Sequence, residues 1–63
     1  PLQYVQTLRV EEAKQMLETS DAAIDEIAAD VGYDEPSSFR AAFRKHVGIT
    51  ASAYRKKWRN SFR

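Results

Sequence analysis

The strongest chemical signal in this chain of 63 residues lies between Pro36 and Val47. Ser37, Arg40, Ala41 and Arg44 stand three and four apart, the spacing that gathers side chains on one face of an α-helix. At 3.6 residues per turn they fall within an arc of roughly 100°. A serine hydroxyl can donate or accept a hydrogen bond. An arginine presents a planar fork of donors that matches paired acceptors such as guanine O6 and N7. Small residues near the helix start permit close approach to base edges. The set therefore suits a helix laid in the major groove of duplex DNA, with Arg44 reaching either a base or a phosphate. Exposed arginines also occur on ordinary solvated helix faces, and the helix pattern alone does not choose between the two.

Other chemistry finds less support. The chain has no cysteine and a single histidine, His46, so no thiolate or histidine cluster can hold a metal. His46 reads as a structural residue on the core side of its helix, near a C-terminus that favours a cation. Ser37 and Ser38 have no histidine placed as a base, which removes a nucleophilic role. Tyr54 and Trp58 could stack on single-stranded bases, but their four-residue spacing reads as core packing. Tyr33, just after Gly32, reads as a plug between helices. The expectation is a protein that is not an enzyme and needs no cofactor.

The charge distribution bears on the partner. The net charge is +1, yet residues 1–35 hold all nine acids and only Arg9 and Lys14 as bases. Residues 36–63 hold eight Lys or Arg and no acid. A basic half without carboxylates implies a polyanionic partner, or else charge balance between two halves of one domain. Lys45, Arg55, Lys56, Lys57 and Arg59, with Thr50 at the start of the last helix, are the expected phosphate contacts. Such contacts attract without reading sequence and weaken with salt.

These residues need elements to position them, and four helices are expected. The first spans about Leu2 to Thr19, with Pro1 near its start, where proline is tolerated. Tyr4, Val5 and Leu8 form one apolar stripe on it. Val10, Ala13, Met16 and Leu17 form a second, rotated by roughly a third of a turn. Two stripes in series fit a helix joining two cores; a single broad buried face is the other possibility. The second helix carries Ile24, Ile27, Ala28 and Val31 at core spacing, acids Asp25 and Glu26 in its first turn, and Gly32 as its stop. The third begins near Pro36, capped by Asp34 or Glu35, with Phe39, Ala42, Phe43 and Val47 inward, and stops at Gly48. The fourth starts at the N-cap Thr50, with Tyr54, Trp58 and Phe62 recurring along it. No segment alternates with period two. The class is all-α, and the short glycine-containing link between the second and third helices has the form of a helix-turn-helix.

Apolar content of 43% suffices for one core, and no run approaches the roughly 18 apolar residues of a membrane span. The chain starts at Pro1 and reads as a piece of a longer protein, and its lack of cysteine suits a cytosolic one.

Three runs carry a family resemblance: LRVEEAKQMLETS, IDEIAADVGYDEPSSFRAAFRKHVGIT and YRKKWR. Together they resemble the second half of the DNA-binding region of AraC/XylS-type bacterial transcription regulators, and they cover nearly the whole chain. The resemblance implies two helix-turn-helix subdomains linked by a long helix, each reading a major-groove segment of double-stranded DNA. Residues 1–19 would be the joining helix. Residues 20–63 would be the second subdomain, with 24–31 as its first helix, 36–47 as the recognition helix and 51–59 closing it. The family's base-facing positions would fall on Pro36, Ser37 and Arg40, flanked by Ala41 and Arg44. The first subdomain would be a partner missing here, and the acidic side of the second helix could meet RNA polymerase. The PSSF run is similar to regulators with a DJ-1/PfpI-like partner domain. Ala23 departs from the pattern where Ser or Thr often caps, Ala51 where proline is common, and Ala53 where an acid often completes a capping box. The competing function is a helical protein-interaction module that contacts RNA polymerase or another regulator domain.

Overall fold

Helical periodicity in the sequence becomes four helices in the computed structural model, which describes residues 2–61 and the side chains of 4–59. They are α1 (Leu2–Thr19), α2 (Ile24–Asp30), α3 (Pro36–Val47) and α4 (Ala51–Ser61). Among the described residues there is no strand. The expected all-α class and the bounds of α1 and α3 stand. The second helix is one residue shorter than expected, because Val31 leaves helical geometry and serves as its C-cap.

One core joins all four helices. Val10, Ala13 and Leu17 enter it from α1, Ile27 and Ala28 from α2, Phe39 and Phe43 from α3, and Ala51 and Tyr54 from α4. Val31 completes it at the turn, and Met16, Ile24, Tyr33, Val47 and Trp58 pack on its edge. A line of rings runs through it. Tyr33 meets Phe39 at 5.6 Å between centroids, Phe39 meets Phe43 at 5.8 Å, Phe43 meets Tyr54 at 5.6 Å, and Tyr54 meets Trp58 at 6.2 Å. These tilted and edge-on pairs have the geometry aromatic quadrupoles favour. Tyr54 and Trp58 are thus core aromatics, and Phe62 lies outside the described residues.

The two stripes of α1 part company. Val10, Ala13 and Leu17 are buried, whereas Tyr4 is 66% exposed and Val5 and Leu8 are each 41% exposed. A single broad buried face would have covered all of them. The N-terminal half of α1 therefore carries apolar side chains that this core leaves open to solvent.

The link from α2 to α3 is tightly specified. Tyr33 N–H donates to Ala28 C=O at 2.9 Å, and Gly32 N–H donates to Ala29 C=O at 3.1 Å. This nested pair closes the helix end as a Schellman motif, with Gly32 at φ 102°. The half-buried Arg9 reaches over from α1, its guanidinium carbon 5.3 Å from the Tyr33 ring centroid. A Cβ added at Gly32 would meet Arg9 Nε at 3.3 Å, a flexible side chain that can shift by a few tenths of an ångström, so the positive φ is what favours glycine at this turn. At the start of α2, Ala23 has no side-chain acceptor, and the Glu26 carboxylate accepts its N–H at 3.3 Å. That is half of a capping box. Thr50 does cap α4, accepting the Ala53 N–H at 3.1 Å.

Candidate nucleic-acid interface

The anchors of α3 decide which of its side chains face out. Phe39 and Phe43 are fully buried, and Pro36, Ala42 and Val47 are half-buried. Counting roughly 100° per residue, the buried axis runs between Phe39 and Phe43 towards Pro36 and Val47. Ser37, Ser38, Arg40, Ala41, Arg44 and Lys45 are exposed. Four of the five expected base-facing residues thus share an open surface, and the fifth, Pro36, is half-buried on the inward side of the helix.

His46 is a correction. It was expected on the core side, and it is exposed. The inward face is centred nearer Pro36 and Val47 than the run Phe39, Ala42, Phe43 implied, which turns His46 out at the last turn. There it joins Arg44 and Lys45 as the basic end of the helix, the sign the helix dipole favours at a C-terminus. Ser38 was weighed only as a nucleophile; its place on the outward face is evident once Phe39 is fixed inward.

Arg40 has a partner that no local pattern revealed. Its Nη2 donates to Asp25 Oδ1 at 2.7 Å, and both side chains are 59% exposed. Asp25 lies in the first turn of α2, where the sequence marked it as an acid suited to the helix dipole.

The basic residues of α4 divide into two groups. Half-buried Arg55 donates from Nε to Leu17 C=O at 3.3 Å and from Nη2 to Ser20 C=O at 3.2 Å. Arg59 Nη2 donates to Ser20 C=O at 3.2 Å and also pairs with the Asp21 carboxylate. The last turn of α1 has no basic residue of its own. Two arginines from α4 therefore supply donors to the carbonyls at and just beyond its end, which would otherwise lack partners. As phosphate contacts Arg55 and Arg59 would have only their remaining N–H donors. The hydrogen bond and charge of Arg59 hold the Asp21 carboxyl below its ordinary pKa. Lys45, Lys56 and Lys57 are exposed, as is Thr50. Among the described residues, no ion pair engages Arg44, Lys45 or Lys56.

Behind the interface, Tyr54 ties α4 to α1. It is 8% exposed, and its hydroxyl donates to the Glu18 carboxylate. Burial first, and then this bond and the Glu18 charge, push the phenol from 10.0 up to about 12. The fold prefers the neutral phenol. Its contribution is complete below the unfolded value near 10 and is lost as pH rises through about 12. Stability should therefore fall by about 2 kcal/mol over that window. Urea midpoints at stepped alkaline pH should show a smaller fall in Tyr54→Phe than in the parent. An ultraviolet titration in which every phenolate forms near pH 10 would rule this out.

Among the described residues, no group of three or more His, Cys, Asp or Glu could hold a metal, and no helix is long and apolar enough to cross a membrane.

A short first helix, a glycine turn and an arginine-bearing second helix packed on a long N-terminal helix define a helix-turn-helix module. The family model for the helix-turn-helix domain matches residues 1–57, and the chain belongs to that family, in its AraC-type form. The raffinose operon transcriptional regulatory protein RafR of Pediococcus pentosaceus is 41% identical over 56 residues, covering 89% of this chain and 20% of that protein. The MmsAB operon regulatory protein of Pseudomonas aeruginosa is 37% identical over 59 residues, covering 94% of this chain and 19% of that protein. The chain thus spans about a fifth of the length of these curated relatives. Among solved structures, the DNA-binding domain of AdpA, a global transcriptional factor crystallised with a target DNA, is 41% identical. It aligns with a TM-score of 0.94 over 97% of this chain and 55% of that one.

Proposed function

We propose that this chain is a sequence-specific reader of double-stranded DNA, the second helix-turn-helix of a bacterial transcription regulator, with α3 entering the major groove. The observation that carries the reading is the outward face of α3. Ser37, Arg40, Ala41 and Arg44 are exposed on a helix fixed from behind by Phe39 and Phe43. Arg40 and Arg44 offer paired donors to base edges. Lys45, Thr50, Lys56 and Lys57 offer phosphate contacts, with Arg55 and Arg59 contributing what their bonds to the α1–α2 loop leave over. The likeness to a domain crystallised with target DNA supports the same reading.

The exposed Tyr4, Val5 and Leu8 would be covered by a preceding helix-turn-helix subdomain, and α1 would be the joining helix. In support, this chain matches only 55% of the AdpA DNA-binding domain, so that domain contains further chain. A DJ-1/PfpI-like companion rests on the PSSF run alone. Contact with RNA polymerase rests on the acids of α2.

Salt titration of duplex binding tests the reading. With about four phosphate contacts, the affinity should fall roughly a hundredfold between about 50 and 200 mM salt. Absence of duplex binding at low salt, even with a preceding subdomain attached, would instead favour a protein-interaction module.

A further inference from the structure

We infer that Asp25 is a positioning residue for base readout, holding the Arg40 guanidinium in register with the groove-facing side of α3. The inference rests on the reading of Arg40 as a base contact.

Both ends of the pair stand on fixed backbone. Asp25 lies two residues before Ile27, and Arg40 directly follows Phe39; Ile27 and Phe39 are 0% exposed. The packing of α2 against α3 therefore sets the distance between them, and the 2.7 Å bond from Nη2 to Oδ1 crosses that angle. An unpaired arginine would sample many rotamers, and ordering it on a base would cost that freedom. A carboxylate bound before DNA arrives removes part of the search.

The bond is compatible with reading. Guanidinium has two donor forks, Nη1 with Nη2 and Nε with Nη2, and each uses a different hydrogen of Nη2. Asp25 engages Nη2 alone, so one fork stays intact for paired acceptors on a base edge. Asp25 also places an acceptor beside the groove, where guanine offers acceptors and cytosine a donor. A simpler role for Asp25 is to complement the α2 dipole. That role would leave base choice unchanged.

Affinity alone cannot separate these roles, because deleting any acid raises attraction to every duplex. The readout is the discrimination ratio between the best duplex from a randomised library and its single-pair variants, measured with this chain at low salt. Asp25→Ala should lower the ratio at one base pair by about threefold or more, and should add nothing in an Arg40→Ala background, as residues in contact couple. Asp30→Ala, which removes an exposed acid from the other end of α2, should leave the ratio unchanged. If Asp25→Ala keeps full discrimination while Arg40→Ala loses it, the positioning role is overturned and base reading stands. If Arg40→Ala also keeps full discrimination, both are overturned.

Discussion

Phe43→Ala should leave the chain largely unfolded at room temperature. Phe43 is 0% exposed, and its ring lies between Phe39 and Tyr54, at 5.8 and 5.6 Å. Truncating a buried phenylalanine costs about 3–5 kcal/mol. At about 0.05–0.15 kcal/mol per residue, a chain this short has roughly 3–9 kcal/mol of stability to lose. Small domains bury a smaller share of their surface and sit towards the low end. The loss is therefore comparable with the whole stability. It is also concentrated, because Phe43 joins α3 to α4 while Phe39 joins α3 to the turn. Far-ultraviolet circular dichroism with a urea titration reads the outcome. Phe43→Leu, which keeps most of the volume, should remain folded with a lowered midpoint, and Lys45→Ala should stay within about 0.5 kcal/mol of the parent. A cooperative Phe43→Ala transition at the parental midpoint would mean that the ring line is not what holds α3 in place.

The same ring line shows why so much of the fold could be read in advance. Ile24, Ile27, Ala28 and Val31 repeat at helical spacing and end at a glycine, so one local stretch specifies both the helix and its stop. Gly32 and Gly48 both adopt positive φ, as their places after apolar runs implied. The two stripes of α1 showed in the spacing as a change of phase, but spacing left a single broad face open, and the exposure of Tyr4, Val5 and Leu8 decides against it. What escaped depends on partners far along the chain. Arg55 and Ser20 are 35 residues apart, and Arg40 and Asp25 are 15 apart. A sequence displays a charge without displaying what will neutralise it. Arg55 and Arg59 were counted with the phosphate contacts, yet they also fasten α4 to the end of α1. His46 failed for a subtler reason. A helix wheel fixes angles between side chains, but neighbouring helices choose the buried axis, and here they chose one nearer Pro36 and Val47.

That choice of axis shapes the expected result of Arg40→Ala. It puts Arg40 at the side of the outward face, close enough to α2 to meet Asp25, while Ser37, Ala41 and Arg44 point more directly away. If Arg40 reads a base, its loss should cost about 1–3 kcal/mol of discrimination at one base pair, roughly a fivefold to 150-fold relaxation. The ion pair with Asp25 does not cancel this. Exposed pairs are worth only about 0–1 kcal/mol, less than a bidentate base contact, so Asp25 cannot keep Arg40 from DNA. Lys56→Ala should behave differently, weakening all duplexes alike and reducing the salt slope by about 1. Arg44→Ala then acts as a gauge of depth, since a base contact would follow the Arg40 pattern and a phosphate contact the Lys56 pattern. Binding-site selection with each variant, at matched salt, reads all three. Equal losses on selected and random duplex for Arg40→Ala and Lys56→Ala would mean that α3 contributes charge to DNA binding and no sequence readout through Arg40.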